Sequence, residues 1–144
     1  MDLEKHVRIL LDSYAYHYGP DLIDRENDEV DALYQAPFVV VSHDTQSDPV
    51  FNYGNLAAQK LFDMDWNAFT QLPSRYSAEP LEREERAVFK KEVTESGYSN
   101  SYRGIRISAT GKRFYIESAR VWNLHDASGN PCGQAATFST WTYL

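Results

Sequence analysis

"YSNSYRGIRISATGKRFYIESARVWNLHDASGNPCGQAATFSTWTYL", residues 98–144, decides the fold. Its three runs, "YSNSYRGIRISA", "KRFYIESARVWNLHD" and "CGQAATFSTWTYL", are rich in β-branched and aromatic residues, and they meet at "ATGK" and "DASGNP". Short segments carrying glycine, asparagine and aspartate form turns, so the runs read as three long strands, each antiparallel to the next. Alternation within "RFYIESARVW" puts Phe114, Ile116, Ser118, Arg120 and Trp122 on one face, and Ile105 and Ile107 join them from the preceding strand. Tyr115, Glu117, Ala119 and Val121 form a mixed opposite face. An arginine at 120 among core residues needs a carboxylate of the fold or an anionic ligand, because burying an unpaired guanidinium is costly.

Upstream of these strands, "PLEREERAVFKKEVTESG" (80–97) is the clearest helix: proline and glutamates open it, lysines follow and glycine closes it. Its Leu81, Val88, Phe89 and Val93 are expected to face inward, and its glutamates 82, 84, 85 and 92 read as a solvated face of ion pairs. Earlier, "FVVVSHD" (38–44) and "PVFNYGN" (49–55) are two short strands in a hairpin. "NLAAQKLFDMDWNAFTQL" (55–72) then gives two short helices that Asn55 and Asp65 can cap. At the start, Leu3, Val7, Leu10, Leu11, Tyr14 and Tyr18 recur every three or four residues and mark an amphipathic helix ending at Gly19-Pro20. A second short helix, capped by Asp24, precedes Pro37. The sum is an α+β domain: a five-stranded antiparallel sheet, helices from 55–96 covering one face, and an N-terminal helical extension at 1–35 ahead of a domain at 36–144.

That order of elements resembles the PAS sensory fold. More closely, "APFVVVSHDTQSDPVFNYGNLAAQKLFDMDW", "LPSRYSAEPLEREER", "YRGIRISATGKRFYIESARVWNL" and "GQAATFSTW", spread over about 36–142, resemble the MEKHLA family. That PAS-like domain occurs alone in bacteria, the type this chain resembles, and at the C-terminus of certain plant homeodomain-zipper regulators. The resemblance implies a PAS-like fold and a regulatory, signal-transducing role. It does not extend to a homeodomain or zipper, and no basic region for DNA is present.

Composition agrees with one ordered domain of 144 residues, 42% hydrophobic and 14% aromatic. A net charge of −7 argues against nucleic acid or anionic membrane as the partner. The single cysteine, Cys132, leaves no intrachain disulfide and suits a reducing compartment, so the cytoplasm is expected, with neither signal peptide nor membrane span.

No metal is expected, since His6, His17, His43 and His125 are scattered without a recurrent ligand spacing. Haem-binding PAS domains carry their ligating histidine on the helix before the last three strands, and 80–96 contains none. Flavin photosensors of this fold use a cysteine on an internal helix, whereas Cys132 opens the last strand. Neither haem nor a cysteinyl-flavin is therefore expected. Nucleophile and phosphate-loop motifs are absent, so an enzyme is the weakest class.

In "LPSRYSAEP" (72–80) two prolines restrain Arg75 and Tyr76, which either tie the loop to its own fold or gate a pocket between sheet and helices. Trp66, Tyr102, Arg120, Trp122, Gln134 and Phe138 are the remaining expected lining groups. The stripe Leu3, Val7, Leu10, Tyr14 and Tyr18 is too apolar for water, so a homodimer is expected in which it covers sheet surface at a two-fold interface. A small cytoplasmic module binding a small molecule or a signalling protein is the leading function, and a ligand-free interaction or dimerisation domain the alternative.

Overall fold

The structure, a computed structural model, describes residues 2–78, 87–89, 91 and 93–144. Helix α1 (Leu3–Tyr18) begins where the Asp2 side chain accepts from the Lys5 amide and stops at Gly19. Helix α2 (Glu29–Tyr34) is shorter than expected, because Asp28 rather than Asp24 caps it through the amides of Val30 and Asp31. Strands β1 (Val39–His43) and β2 (Phe51–Gly54) pair antiparallel. Helices α3 (Leu56–Phe62) and α4 (Trp66–Phe69) follow, capped by Asn55 and Asp65 as the sequence indicates. A 3-10 turn at Ser74–Ser77 and helical residues 87–89, 91 and 93–96 lead into β3 (Tyr98–Ile107), β4 (Arg113–His125), β5 (Pro131–Phe138) and β6 (Trp141–Tyr143).

The sheet runs β2-β1-β5-β4-β3, and β6 also pairs with β4. Arg120 faces Thr137 and Ile116 faces Trp141, so β6 continues β5 along β4 in an unchanged register. The six strands thus lie as five, all antiparallel, with the last three adjacent in sequence order.

Both faces are covered, which is why β1, "VVVSH", is buried at every position. On one face Ala58, Leu61, Phe62 and Phe69 of α3 and α4 pack on Val39, Phe51, Phe114, Ile116 and Phe138. On the other, Val7, Leu10, Leu11 and Tyr14 of α1, joined by Leu33, pack on Val40, Tyr53, Trp122, Leu124 and Ala135. Buried Asn55 locks the two layers together: its Oδ1 accepts from the amides of Val40 and Ala58, and its Nδ2 donates to the carbonyls of Leu33 and Phe38.

Two expectations are corrected here. Val7 and Leu10 are fully buried and Tyr14 nearly so against the chain's own sheet, and the Tyr18 hydroxyl donates to the carbonyls of Ser99 and Val121. The stripe Leu3, Val7, Leu10, Tyr14 and Tyr18 is therefore spent within one chain and is not available as a dimer interface. The second concerns β4, where Ser118 takes a positive φ of 54° and the β3–β4 register shifts beside it. That bulge reverses the alternation. Phe114 and Ile116 face α3 and α4, whereas Trp122 and Leu124 face α1. Arg120 shares the Trp122 side, where its guanidinium donates to the Tyr14 hydroxyl and lies 5.1 Å from the Tyr18 ring centre. Arg120 is exposed, and among the described residues aromatic groups rather than a carboxylate receive it.

Among the described residues no helix is long and apolar enough to cross a membrane. Leu81 and glutamates 82, 84, 85 and 92 lie outside them. Val88, expected inward, is 57% exposed, while Val93 is buried.

Candidate functional site

A cavity of about 70 Å³ lies between the sheet and its helical cover. Tyr102 and Arg106 from β3, Ile116, Ala119 and Val121 from β4, and Gln134, Ala136 and Phe138 from β5 form its floor. Phe62, Ser77 and Phe89 close it from the cover, and Val41, His43 and Phe51 from the far strands. The Ser118 bulge is what turns Ala119 and Val121 toward this space, after Phe114 and Ile116 have faced the same side of the sheet from the other parity.

One wall is polar. Arg106 stands opposite Phe114 in the β3–β4 register, so it shares that residue's inward face and is only 8% exposed. Its guanidinium donates to the Ile105 carbonyl at 3.0 Å and to the Tyr102 hydroxyl, and lies 5.0 Å from the Tyr102 ring centre. Gly104 makes that contact possible, since a Cβ there would sit 2.7 Å from the Tyr102 hydroxyl. Phe89 then packs on the Tyr102 ring at 4.3 Å between centroids.

At the opposite end the Gln134 amide donates to Thr94 Oγ1 at 2.8 Å and to Asn123 Oδ1 at 3.1 Å. Asn123 Nδ2 in turn donates to the carbonyls of Val93 and Thr94, capping the end of the last helical stretch. A cavity-lining side chain is thereby bonded to the helix that roofs the cavity.

Of the expected lining groups, Tyr102, Gln134 and Phe138 come together here. Trp122 lies on the α1 face, edge-on to Tyr14 at 5.1 Å, and Arg120 stands beside it. Trp66 packs against Tyr53 and Tyr34 at 5.6 and 6.3 Å, also on the α1 side. Arg75 and Tyr76 stack on each other at 4.2 Å on the surface. Arg75 Nε donates to Asp48 at 3.0 Å, the two side chains being 47% and 51% exposed. Backbone bonds from Ser74 to Pro49 and from Phe51 to Leu72 hold the same stretch to the lead-in of β2. Arg75 therefore clips the loop to its own fold. Because the pair is exposed, Arg75→Ala is expected to leave the chemical-denaturation midpoint nearly unchanged. A clear fall in that midpoint would show a larger role.

Sequence reading missed Arg106. It also missed a buried chain on the α1 face, in which Ser42 donates to Asn52 Oδ1 at 2.5 Å while His6 Nε2 lies 2.9 Å from Ser42 Oγ. With the serine proton committed to Asn52, the imidazole tautomer that fits is the one donating to Ser42. Burial lowers the His6 pKa from 6.5 to about 4. The folded state then resists protonation that the unfolded chain accepts. The stabilising contribution is full above pH 6.5 and declines as pH falls toward about 4, a loss of about 3 kcal/mol. Stability measured across that window is expected to fall less steeply in His6→Gln, and equal slopes would contradict the assignment.

Cys132 packs with the α1-side cluster, across the sheet from the cavity, and cannot reach a ring bound there.

Comparison with known proteins agrees with this architecture. The PAS domain of a protein from Colwellia psychrerythraea, 13% identical, superposes with a TM-score of 0.65 over 79% of this chain and 92% of that one. The light-state dimer of the fungal blue-light photoreceptor Vivid, 11% identical, gives 0.62 over 88% of each chain. At such identities the likeness is one of fold. In sequence, the homeobox-leucine zipper protein ATHB-9 of Arabidopsis thaliana is 23% identical over 146 residues, covering 96% of this chain and 17% of the plant protein's length. The MEKHLA domain matches residues 4–143, so α2 and all of α1 but its first residue fall inside the match, and the chain belongs to the MEKHLA domain family.

Proposed function

We propose that this PAS-like domain is a regulatory module that senses a small molecule held between its sheet and its helical cover. The observation that carries this reading is the cavity whose lining residue Gln134 is bonded to Thr94 on the roofing helical stretch. A ligand that moves Gln134 changes how that helix is held, which is the kind of coupling a sensor needs. The module acts by binding rather than catalysis. Its single free cysteine supports a place in the cytoplasm.

The small volume of the cavity favours a second reading, a ligand-free interaction or dimerisation domain. Under either one, a homodimer would have to form through surfaces other than the α1 stripe, and sedimentation at tens of micromolar tests it. Native mass spectrometry of the purified chain separates the two readings. A small-molecule adduct released on denaturation is expected. Protein free of any adduct, and unchanged in melting temperature by every small molecule offered, would favour the interaction domain.

A further inference from the structure

We propose that the ligand is a small organic carboxylate, its charged end held by Arg106 and Tyr102 and its carbon body lying among Phe51, Phe62, Ile116 and Phe138. This rests on the sensory reading of the same cavity and names the class of molecule it takes.

Arg106 is the unexplained charge of the interior. It is more than nine-tenths buried, lines the cavity, and is reached by no carboxylate among the described residues. A guanidinium offers five N–H donors, of which the Ile105 carbonyl and the Tyr102 hydroxyl take two. Having accepted from Arg106, the Tyr102 hydroxyl still has its own proton to give. A cation and a neutral O–H donor therefore converge on one wall, while Phe51, Phe62, Ile116 and Phe138 supply the apolar lining and Ser42, His43, Ser77 and Gln134 the remaining polar groups. A buried cation is tolerable only with a counter-charge, and the planar fork of a guanidinium matches the two oxygens of a carboxylate. The cavity of about 70 Å³ has room for one small molecule of a few heavy atoms. An acid of three to five carbons is of that size, and its short chain suits the apolar walls better than a bare inorganic anion would.

The test uses the full chain and measures its melting temperature with sodium butyrate, butyramide and toluene at equal ionic strength, in wild type, Arg106→Met and Tyr102→Phe. Butyrate is expected to give a saturable rise of several degrees, and butyramide, its uncharged isostere, none. Arg106→Met should abolish the rise while melting no lower than wild type without ligand, because it removes a buried charge that has no carboxylate partner among the described residues. A purely structural arginine would instead lower the melting point. Tyr102→Phe keeps the ring, and should weaken butyrate at least tenfold even if Arg106→Met fails to fold. If butyramide or toluene raises the melting point as well as butyrate does, or the Tyr102→Phe response equals that of wild type, the carboxylate assignment is overturned and the cavity reading stands. If none of the three shifts the wild type, both fall.

Discussion

Deleting residues 1–20 is expected to yield an unfolded or insoluble chain rather than a folded monomer. Helix α1 covers Val40, Tyr53, Trp122, Leu124 and Ala135, and its Val7, Leu10 and Leu11 are 0% exposed. Losing the burial of Val7, Leu10, Leu11 and Tyr14 forfeits about 6–12 kcal/mol, comparable to the whole stability of a typical domain at about 5–15 kcal/mol. Polar ties go with them: His6 to Ser42, Ser13 to the His125 amide, Tyr14 to Arg120, and Tyr18 to the carbonyls of Ser99 and Val121. The bared sheet face would be a large apolar patch open to aggregation. Circular dichroism of the truncated chain decides it. Cooperative unfolding within about 5 °C of the intact protein would show that α1 is dispensable.

Trp122→Ala is the single substitution expected to cost most, about 3–5 kcal/mol. The side chain is fully buried, edge-on to Tyr14 at 5.1 Å and to Tyr18 at 6.1 Å, so truncation leaves a hole walled by aromatic rings already held in place. Its indole N–H meets no acceptor among the described residues. Trp122→Phe removes that unsatisfied donor along with part of the volume, and is expected to cost about 1–2 kcal/mol. Denaturation midpoints should shift in that order at constant slope. Equal costs for the two would mean that the indole's size is not what matters.

The order of elements was legible from turns, caps and periodicity because each is a local signal. Asn55 illustrates this: a polar cap ahead of an apolar stripe is visible in sequence, although its bonds to Leu33 and Phe38 are not. The α1 stripe was equally visible, but periodicity reveals only that a face is covered, not by what, and the chain's own sheet proved to be the cover. Strict alternation misled on β4 and on the edge strand β3. Ser118 spends one residue on a bulge, which carried Trp122 and Arg120 to the α1 face. On β3 the apolar Ile105 and Ile107 looked like the inward pair, yet they face Tyr115 and Arg113, and Arg106 is the inward residue opposite Phe114. The turn held a usable clue. The Ser108 amide closes on the Lys112 carbonyl, and pairing outward from that link places 106 opposite 114. Had the register been counted from the turn, the buried arginine would have followed from the buried phenylalanine.

An amide proton–nitrogen NMR titration of the full chain with a panel of small metabolites tests the central claim most directly. A ligand in the cavity is expected to shift residues 102–106, 119–121 and 134–138 together, and residues 93–97 with them through Gln134 and Thr94. No shifts at millimolar concentration, or shifts confined to α1 and the sheet face beneath it, would contradict a small-molecule site between the sheet and its helical cover.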